Sequence, residues 1–285
     1  MQNILSIDLE SWVHFYKDFF KDNLEGSKER KKLDNSYIVF ATNNILKVLD
    51  KCNAKATFFV LGEIFEWYPE IIYGILQAGH EIGYHTHDHQ PIKNEILLEK
   101  QLEKSKLFID TFRPKGFRAP QIYLTKDSAQ ILKEWGFEYS SSTYGPYSRK
   151  TNVQGIEELP VSSFSYLCKP PFPITFPQPL TLKMFLKEIP FGSGLFFSVF
   201  QSKISFFIKR LEERGEPAIL FFHPWQIYKI NEIHGAKFRL KVLCKNFLAL
   251  PYTISMGRAL EVVLSKHQFT SFGEFRNGHK KILGS

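Results

Sequence analysis

The 285-residue sequence predicts an α/β fold, a distorted (β/α) barrel of about seven strands with the active site at the C-terminal ends of the strands. Short apolar runs alternate along the chain with segments of helical spacing, which is the pattern of parallel βαβ units. In addition, unusual polar side chains come directly after several apolar runs, where barrels of this class build their active sites. Since we find no internal repeat and no long linker, residues 1–285 are predicted to form a single domain.

The predicted strands are short runs, most of them apolar and rich in β-branched or aromatic residues. In chain order they are Asn3–Leu9, Ala56–Leu61, His80–Tyr84, Lys115–Phe117, Phe137–Ser140, Glu158–Val161 and Ala218–Phe222. The predicted helices have apolar residues three and four apart. They are Ser36–Lys51, Tyr68–Gln77, Ile92–Phe112, Thr125–Trp135, Ser205–Arg214 and Leu260–Lys266. The charged segment Lys17–Asn35 is predicted to be a loop.

Composition narrows the class of protein. Hydrophobic residues make up 44% of the chain, which is enough for a large core and excludes a disordered protein. The formal net charge of +8 suits anionic partners such as lipid surfaces or acidic glycans. The basic residues are scattered, with one short cluster at Lys28–Lys32, so nucleic-acid binding is not expected.

Cysteine usage and the apolar runs indicate the compartment. Cys52, Cys168 and Cys244 are far apart and form neither a metal-binding pair nor a disulfide framework, so a reducing compartment is expected. Asn3–Asp8 reads as a strand and not as part of a signal peptide, and we expect a cytoplasmic protein that could contact the inner face of the membrane peripherally. No apolar run reaches the length of a membrane span. The nearest candidate, Phe191–Ile208, could be a core segment or a surface that touches lipid.

The stretch Gly83–Gln90 places three histidines within five residues. His85 and His89 are four residues apart, so both rings can face one ion on a helical turn or in a tight loop. Imidazole is the commonest neutral metal ligand in proteins. A full site needs at least one more donor from elsewhere in the chain. The alternative is a polar loop whose histidines are simply solvated.

A pair of carboxylates ends the first predicted strand. Side chains alternate along a strand, so Asp8 and Glu10 point to the same side. Two adjacent carboxylates repel each other, and a cation beside them would relieve this repulsion. The alternative is a solvated strand end, which does not explain why the acids follow the apolar residues so closely.

These residues belong to four short motifs in a fixed order. The motifs are Ser6–Trp12 with the spaced acidic pair, His85–His89 as His-Thr-x-x-His, Gly116–Pro120 with Arg-x-Pro, and Leu220–Trp225 with a histidine after an apolar strand. Together they resemble the polysaccharide deacetylases of the NodB-homology type, carbohydrate esterase family 4, in the branch associated with surface-polysaccharide and exopolysaccharide loci. Ala56–Gly62 is also similar to the second strand of that family. The resemblance runs from Ser6 to about Trp225 and implies a single NodB-like deacetylase domain.

The resemblance implies a metal centre and a catalytic pair. Glu10, His85 and His89 match the metal ligands, with Glu where many members have Asp. The ligand type favours Zn²⁺, although Co²⁺, Ni²⁺ or Fe²⁺ would also fit. Asp8 matches the general base that takes a proton from the attacking water, and His223 matches the general acid that protonates the leaving amine.

Further residues would support this chemistry. By the same resemblance, Arg118 would pair with Asp8 and keep it ionised. The backbone N–H of Gln121 would stabilise the oxyanion. Trp12 and Trp225 could stack on sugar faces. Two further histidines, His14 and His87, could contact the ligands or the substrate, or be bystanders.

One residue departs from the family pattern. Many members support the catalytic histidine with an aspartate, and Ser140 stands at the matching position here. The leading hypothesis is therefore a metal-dependent hydrolase that removes an N-acetyl or N-formyl group from an amino sugar or glycan precursor in surface-polysaccharide biosynthesis. Two alternatives stay open: a glycan-binding domain with weak or no turnover, and an allantoinase-like amidohydrolase on the same scaffold.

Overall fold

The computed structural model describes residues 2–17, 24, 26–165, 176–178, 184 and 187–283, so Cys168 lies outside the described residues. The strands are β1 (Asn3–Leu9), β2 (Thr57–Val60), β3 (Glu81–Tyr84), β4 (Gly116–Phe117), β5 (Tyr139–Ser140), β6 (Tyr144–Gly145), β7 (Thr151–Val153), β8 (Ile156–Glu158), β9 (Val161–Ser162), β10 (Phe164–Ser165), β11 (Glu188–Ile189), β12 (Ile219–Phe222) and β13 (Phe269–Thr270).

The helices alternate with these strands through the first half of the chain and dominate its end. They are α1 (Trp12–Lys17), α2 (Ser27–Asp34), α3 (Tyr37–Lys51), α4 (Gly62–Trp67), α5 (Pro69–Gln77), α6 (Glu95–Lys104), α7 (Lys106–Phe112), α8 (Ser128–Glu134), α9 (Gly194–Phe200), α10 (Ser205–Glu212), α11 (Pro224–Ile227), α12 (Asn231–His234), α13 (Ala236–Lys245), α14 (Gly257–Leu264) and α15 (Phe272–Leu283). Short 3₁₀ turns include Pro120–Ile122 and Phe247–Thr253.

The main sheet positions the site. Eight of its strands follow the order β12-β1-β2-β3-β4-β5-β8-β7, and β13 also pairs with β1. All of these pairs are parallel except β7 with β8. The predicted α/β class is confirmed, in the form of a curled half-barrel sheet. Parallel neighbours end at the same edge, so the residues that follow β1, β3, β4 and β12 come together there.

The centre of the sheet is buried on both faces. All seven residues of β1 are buried, and so are all residues of its neighbours β2 and β12. This burial explains why these strands read as continuous apolar runs in the sequence. The register aligns Ser6 with Thr57 on one side and with Phe221 on the other.

A glycine links the edge strand β12 to the small β6–β9 sheet. The Gly192 N–H donates to the Ser162 carbonyl at 2.9 Å, and the Phe221 N–H donates to the Gly192 carbonyl at 2.8 Å. A Cβ atom at position 192 would overlap the Ile219 carbonyl oxygen, so only glycine permits this approach. The backbone of residue 192 thus continues the barrel wall beyond β12.

Three predictions of local structure are wrong. The predicted strand Glu158–Val161 is instead the end of β8 and the start of β9, which belong to different sheets. The other two concern helices. The segment predicted as a loop contains α2 (Ser27–Asp34), which is held by buried Arg30, whose Nε donates to Glu63 at 2.9 Å. The predicted helix Ile92–Phe112 begins at Glu95 and breaks into two at Ser105. Both differences depend on contacts with distant parts of the chain, which local spacing does not encode.

No single helix among the described residues has both the length and the apolar composition of a membrane span. One bent pair, Phe247–Thr253 with Gly257–Leu264, meets the length and composition criteria only when the two are taken together. The apolar residues Leu260, Val263 and Leu264 of the second helix are buried in the protein core.

Candidate active site

The polar residues at the strand ends converge on one cavity of about 640 Å³. Asp8 and Glu10 come from the end of β1, His85 and His89 from the loop after β3, and His223 from the end of β12. Each of the five residues is between 1% and 8% exposed. Because water is largely excluded from these groups, their mutual electrostatic interactions are stronger than they would be at the surface.

Glu10, His85 and His89 form a cluster that fits a metal ion. One ligand atom from each lies within 4.8 Å of the other two. His89 Nε2 lies 2.8 Å from Glu10 Oε2. His85 Nε2 is buried and has no hydrogen-bond partner among the described residues. A buried polar atom in that state is costly, and a metal ion would satisfy it. One carboxylate and two imidazoles are a donor set typical of catalytic zinc sites.

The ring of His85 is held in the state that a metal requires. His85 Nδ1 donates to the Arg118 carbonyl at 2.8 Å, which leaves the lone pair on Nε2. Burial lowers the pKa of His85 to about 4, although nearby Asp8 opposes this shift. The ring is therefore neutral near pH 7, and neutral imidazole is the form that binds metals.

Glu10 is held as a carboxylate. Trp225 Nε1 donates to Glu10 Oε1 at 3.1 Å, and His223 Nε2 lies 3.5 Å from the same oxygen. Burial acts to raise the pKa of Glu10, but the nearby His89 and His223 outweigh it and bring the pKa well below its usual range. An ionised, anchored carboxylate is suited to bind a cation.

Asp8 is oriented by the fully buried side chain of Arg118. Arg118 Nη1 donates to Asp8 Oδ1 and to Ser6 Oγ, each at 2.8 Å. Its Nε and Nη2 donate to the carbonyl and hydroxyl oxygens of Ser141, again at 2.8 Å. The second Asp8 oxygen, Oδ2, lies 3.9 Å from His223 Nε2. One carboxylate oxygen is therefore fixed by a charge-assisted bond while the other faces the proposed acid.

The loop that carries His85 and His89, the two candidate metal ligands, is fixed by a neighbouring helix. Thr86 and His89 adopt the left-handed region, with φ of 71° and 62°. The first N–H groups of α4, those of Gly62 and Glu63, donate to the carbonyls of Thr86 and His87 at 2.9 Å. These N–H groups have no partner inside their own helix, so the loop satisfies them.

His223 is held by Gln226. His223 Nδ1 lies 2.8 Å from Gln226 Oε1, and the His223 backbone N–H donates to the same oxygen at 3.0 Å. Gln226 Nε2 in turn donates to Ser198 Oγ at 3.3 Å, while the Ser198 hydroxyl donates to the Gly194 carbonyl at 3.0 Å. In this ordering Gln226 Oε1 accepts, so His223 Nδ1 carries a hydrogen and Nε2 faces Asp8 and Glu10.

Part of the chain is similar to known proteins. A family model described as polysaccharide deacetylase matches residues 33–140, which include His85, His89 and Arg118. A peptidoglycan-N-acetylglucosamine deacetylase of Bacillus cereus is 33% identical over 132 residues, or 45% of this chain and 48% of the relative. A second protein of that description and organism is 32% identical over 122 residues, or 41% of this chain and 57% of the relative.

Residues 33–140 of this chain are thus similar to polysaccharide deacetylases of the NodB-homology type. The chain spans about half the length of the curated relatives that it matches. The fold agrees with the crystal structure of a protein assigned as a polysaccharide deacetylase from Mycobacterium smegmatis. That comparison gives a TM-score of 0.53 at 19% identity and covers 93% of this chain and 92% of the other.

Ser140 does not take over the role of the aspartate that many family members have. Its hydroxyl donates to Ser142 Oγ at 2.8 Å, and the partner of His223 Nδ1 is Gln226. Sequence reasoning missed Gln226. The available signal was its position three residues after His223, with Pro224 between them, which is the spacing of a helix N-terminal capping box.

The two tryptophans expected to stack on sugars are more buried than that role requires. Trp225 lines the cavity but is only 1% exposed, and its ring stacks on His223 and Phe15 with centroids 4.8 and 4.5 Å apart. Trp12 is 2% exposed and meets the edge of Tyr16. Trp225 therefore supports Glu10 and His223, and Trp12 packs in the core.

The remaining predicted substrate contact is Gln121. Its side chain is exposed at the cavity wall, and its backbone lies in the left-handed region with φ of 56°. This places the residue beside the cavity, as the resemblance implies. The role of its N–H in the reaction stays a prediction.

His14 and His87 make contacts that hold the fold together around the site. His14 Nε2 lies 2.9 Å from Glu63 Oε2, in a buried cluster that also includes Arg30. Burial opposes ionisation of Glu63, but His14 and Arg30 outweigh it and lower the pKa of this carboxyl strongly. His87 Nδ1 lies 3.1 Å from Ser105 Oγ. These contacts favour a structural role over contact with the substrate.

Proposed function

We propose that this protein is a metal-dependent hydrolase that removes an N-acyl group, acetyl or formyl, from an amino sugar in a glycan or a glycan precursor. The observation that carries the proposal is the placement of Asp8 and His223. The two side chains face each other across 3.9 Å beside a cluster suited to a metal ion. A base and an acid flanking one reaction centre are what amide hydrolysis requires.

The proposed roles follow from the contacts of each side chain. A metal ion held by Glu10, His85 and His89 would polarise the acyl carbonyl and lower the pKa of a water molecule, and Zn²⁺ suits these ligands best. Asp8 accepts the proton of the attacking water, because Arg118 already occupies its other oxygen.

His223 completes the reaction as the general acid. An amine anion is too poor a leaving group to depart without a proton. The general acid must therefore lie within reach of the leaving nitrogen of the sugar. His223 Nε2 faces the site, and Gln226 fixes the opposite ring nitrogen. Buried Trp225 stacks on the ring and limits its movement.

The relatives support an N-acetyl amino sugar as the substrate class. Both Bacillus cereus proteins are named for action on the N-acetylglucosamine of peptidoglycan. Because the match covers about half of each relative, their substrate is carried here only as part of the proposal. A nucleotide- or lipid-linked precursor of a surface polysaccharide is the other candidate substrate, and it must be tested as well.

Product analysis tests the proposed function. Metal-loaded protein is incubated with N-acetyl and N-formyl sugar precursors, peptidoglycan fragments and a cyclic ureide, and released acid and new amine are measured by mass spectrometry. The expected result is acetate or formate together with a free amino sugar. Ring opening of the ureide alone would indicate an amidohydrolase, and saturable glycan binding without any turnover would indicate a binding domain.

The Asp8→Asn variant provides the control for this assay. An amide cannot accept the proton of the attacking water, and general-base contributions are typically about 10²–10⁴-fold. We expect turnover to fall by about this factor while the metal content stays unchanged, because Glu10, His85 and His89 are intact. Activity within a few-fold of wild type would remove Asp8 from the mechanism.

A further inference from the structure

Helix α13 (Ala236–Lys245) has apolar side chains on two opposite faces. Phe238 and Val242 face inward and are buried, and Phe238 packs against Phe15, which lines the cavity. Leu240 and Leu243 lie on the outer face and are 64% and 51% exposed. The inner face is enough to pack the helix against the rest of the protein. Packing therefore does not explain why the outer positions are leucines.

The outer apolar face extends beyond the helix. Phe247, at the start of the following 3₁₀ turn, is 61% exposed, and Cys244 is also exposed. Leu240, Leu243 and Cys244 follow the spacing of one helical stripe, and Phe247 comes just after the helix ends. Single exposed apolar residues are common on protein surfaces, but several neighbouring ones mark a surface that contacts a partner or a membrane. We call Leu240, Leu243 and Phe247 the outer patch.

The charge around the outer patch identifies the chemistry of its partner. The segment 233–260 contains no aspartate or glutamate. Its cationic residues on α13 are Lys237, Arg239, Lys241 and Lys245, and by helical spacing Lys237 and Arg239 lie on either side of the apolar stripe. An apolar stripe flanked by basic side chains is typical of helices that lie in the interface of a membrane containing anionic lipids. A second copy of this chain is a poor occupant, because a two-fold contact would place these cations opposite each other.

The outer patch lies beside the entrance to the active site. Lys245, Asn246, Leu248 and Ala249, which follow or end α13, line the cavity that contains the proposed metal ligands. A membrane bound to the outer patch would therefore lie close to the rim of the cavity. This arrangement would present the site to sugars held at the membrane surface.

We propose that the outer patch, with the basic residues around it, binds the protein peripherally to the surface of an anionic lipid bilayer. Leucine and phenylalanine side chains enter the interfacial region, and the lysines and arginines contact lipid phosphates. The binding itself does not depend on the proposed reaction. Its consequence for the substrate, access to lipid-linked amino sugars, rests on the proposed function.

Vesicle sedimentation tests this inference. The full chain is mixed with vesicles of phosphatidylcholine alone, or of equal parts phosphatidylcholine and phosphatidylglycerol. We expect the wild type to sediment with the anionic vesicles and to bind them less as salt is raised. The Leu240→Glu/Leu243→Glu variant should bind at least about tenfold more weakly, because two apolar side chains are lost and two negative charges face the lipid.

A matched variant controls for the loss of exposed leucines in general. Ile96 and Leu107, on α6 and α7, are 77% and 72% exposed. Ile96→Glu/Leu107→Glu changes charge and apolar area in the same way and should bind vesicles like the wild type. All four positions are exposed, so both variants are expected to keep the wild-type melting temperature and circular dichroism spectrum.

Several results would overturn the inference. Absence of wild-type binding to anionic vesicles, or equal binding by the wild type and the Leu240→Glu/Leu243→Glu variant, would do so. So would light scattering that shows a dimer of the wild type and a monomer of the variant. Hydrolysis of a soluble N-acetyl sugar separates the two proposals. If it persists without vesicle binding, only the membrane inference fails; if it is absent while binding persists, only the proposed function fails.

Discussion

Arg118 is among the most tightly constrained side chains of the site. It is fully buried, and its guanidinium group donates to Asp8, Ser6 and Ser141 while stacking over Phe59, with the Cζ atom 4.4 Å from the ring centroid. A buried cation is costly unless it is paired and hydrogen-bonded, and here both conditions are met. The flat, forked guanidinium group fits these partners, and a lysine would not reproduce the set.

The acid role of His223 leads to a contrast between two substrates. If His223 protonates the leaving amine, His223→Ala should lower kcat for an N-acetyl amide by about 10²-fold or more. An activated ester, whose leaving group needs little protonation, should lose much less. Steady-state kinetics on both substrates, with the metal content checked, measures this difference. Equal losses would point to a packing defect and would contradict the acid role.

Single site residues could be predicted where their position follows from the local sequence. Asp8 lies at the end of a strand, Glu10, His85 and His223 each follow a strand directly, and all four line the cavity. The contact between His223 and Gln226 was not predicted, because it depends on side-chain rotamers and on a hydrogen-bond partner elsewhere. For the same reason, the sequence did not reveal that the side chains of Phe15 and His223 stack on the ring of Trp225.

Among the elements, α6 and α4 together fix the loop that carries the candidate metal ligands His85 and His89. Gln101 of α6 accepts from the backbone N–H groups of His87 and Asp88 at 2.8 and 3.2 Å. The first turn of α4 binds the same loop from the other side. A loop with two residues at positive φ is strained on its own, so these contacts are needed to keep both histidines in place.

Helix α9 provides a further test, because its first residue sets the position of Gln226. A Cβ atom at Gly194 would overlap the amide of Gln226. Gly194→Ala should displace this amide and lower kcat for an amide substrate by about tenfold or more, since His223 loses its fixed orientation. KM should change less. A kcat within twofold of wild type would show that Gln226 does not position His223.

A second glycine-to-alanine change controls for the substitution itself. Gly74 lies in α5, and a Cβ atom there has no neighbour within 4 Å. Gly74→Ala should leave kcat unchanged and stabilise the protein by up to about 1 kcal/mol, because alanine favours helix. Kinetics and thermal unfolding of the two variants together separate a local displacement from a general effect.

Elements were predictable where periodicity was strong. The helix after Pro69 and the strand before His85 lie close to the predicted positions. Helix α2 was missed because its sequence is highly charged, and it is the ion pair between Arg30 and Glu63 that buries one side of it. The break at Ser105 was missed because the apolar spacing continues through it, although the serine is buried beside the histidine loop.

At the scale of the whole molecule, the order of the strands could be inferred only in part. Alternating strands and helices predicted a parallel sheet, and the buried runs identified its central strands. The link from β12 to the β6–β9 sheet through Gly192 was not predictable, because it depends on a close backbone contact between distant segments. The sequence therefore predicted the edge of the sheet that carries the candidate site better than it predicted how β12 connects to the β6–β9 sheet.

The stability of the fold should depend on pH through His80. Burial and nearby Lys55 lower the pKa of His80 to about 4, and its Nδ1 accepts from the Ala56 N–H at 3.3 Å. The ordinary pKa of histidine is about 6.5, so between pH 6.5 and 4 the unfolded chain binds a proton that the folded chain does not. The contribution of His80 to the free energy of unfolding is therefore fully present above pH 6.5. It falls by up to about 3 kcal/mol as the pH is lowered to 4.

Denaturant unfolding at several pH values measures this contribution. His80→Asn keeps an acceptor for the Ala56 N–H but does not titrate, so its free energy of unfolding should fall less steeply between pH 6.5 and 4. Comparing the two proteins removes the contributions of other titrating groups. Parallel curves for the wild type and the variant would show that His80 is protonated alike in both states.

The metal content of three purified proteins tests the central claim most directly. Elemental analysis should find close to one divalent metal ion per chain in the wild type, and almost none in His85→Ala/His89→Ala. The His87→Ala variant, which removes a ring from the same loop but not a proposed ligand, should keep its metal. Equal metal content in the wild type and the double variant, or loss of metal in His87→Ala alone, would contradict the assignment of Glu10, His85 and His89.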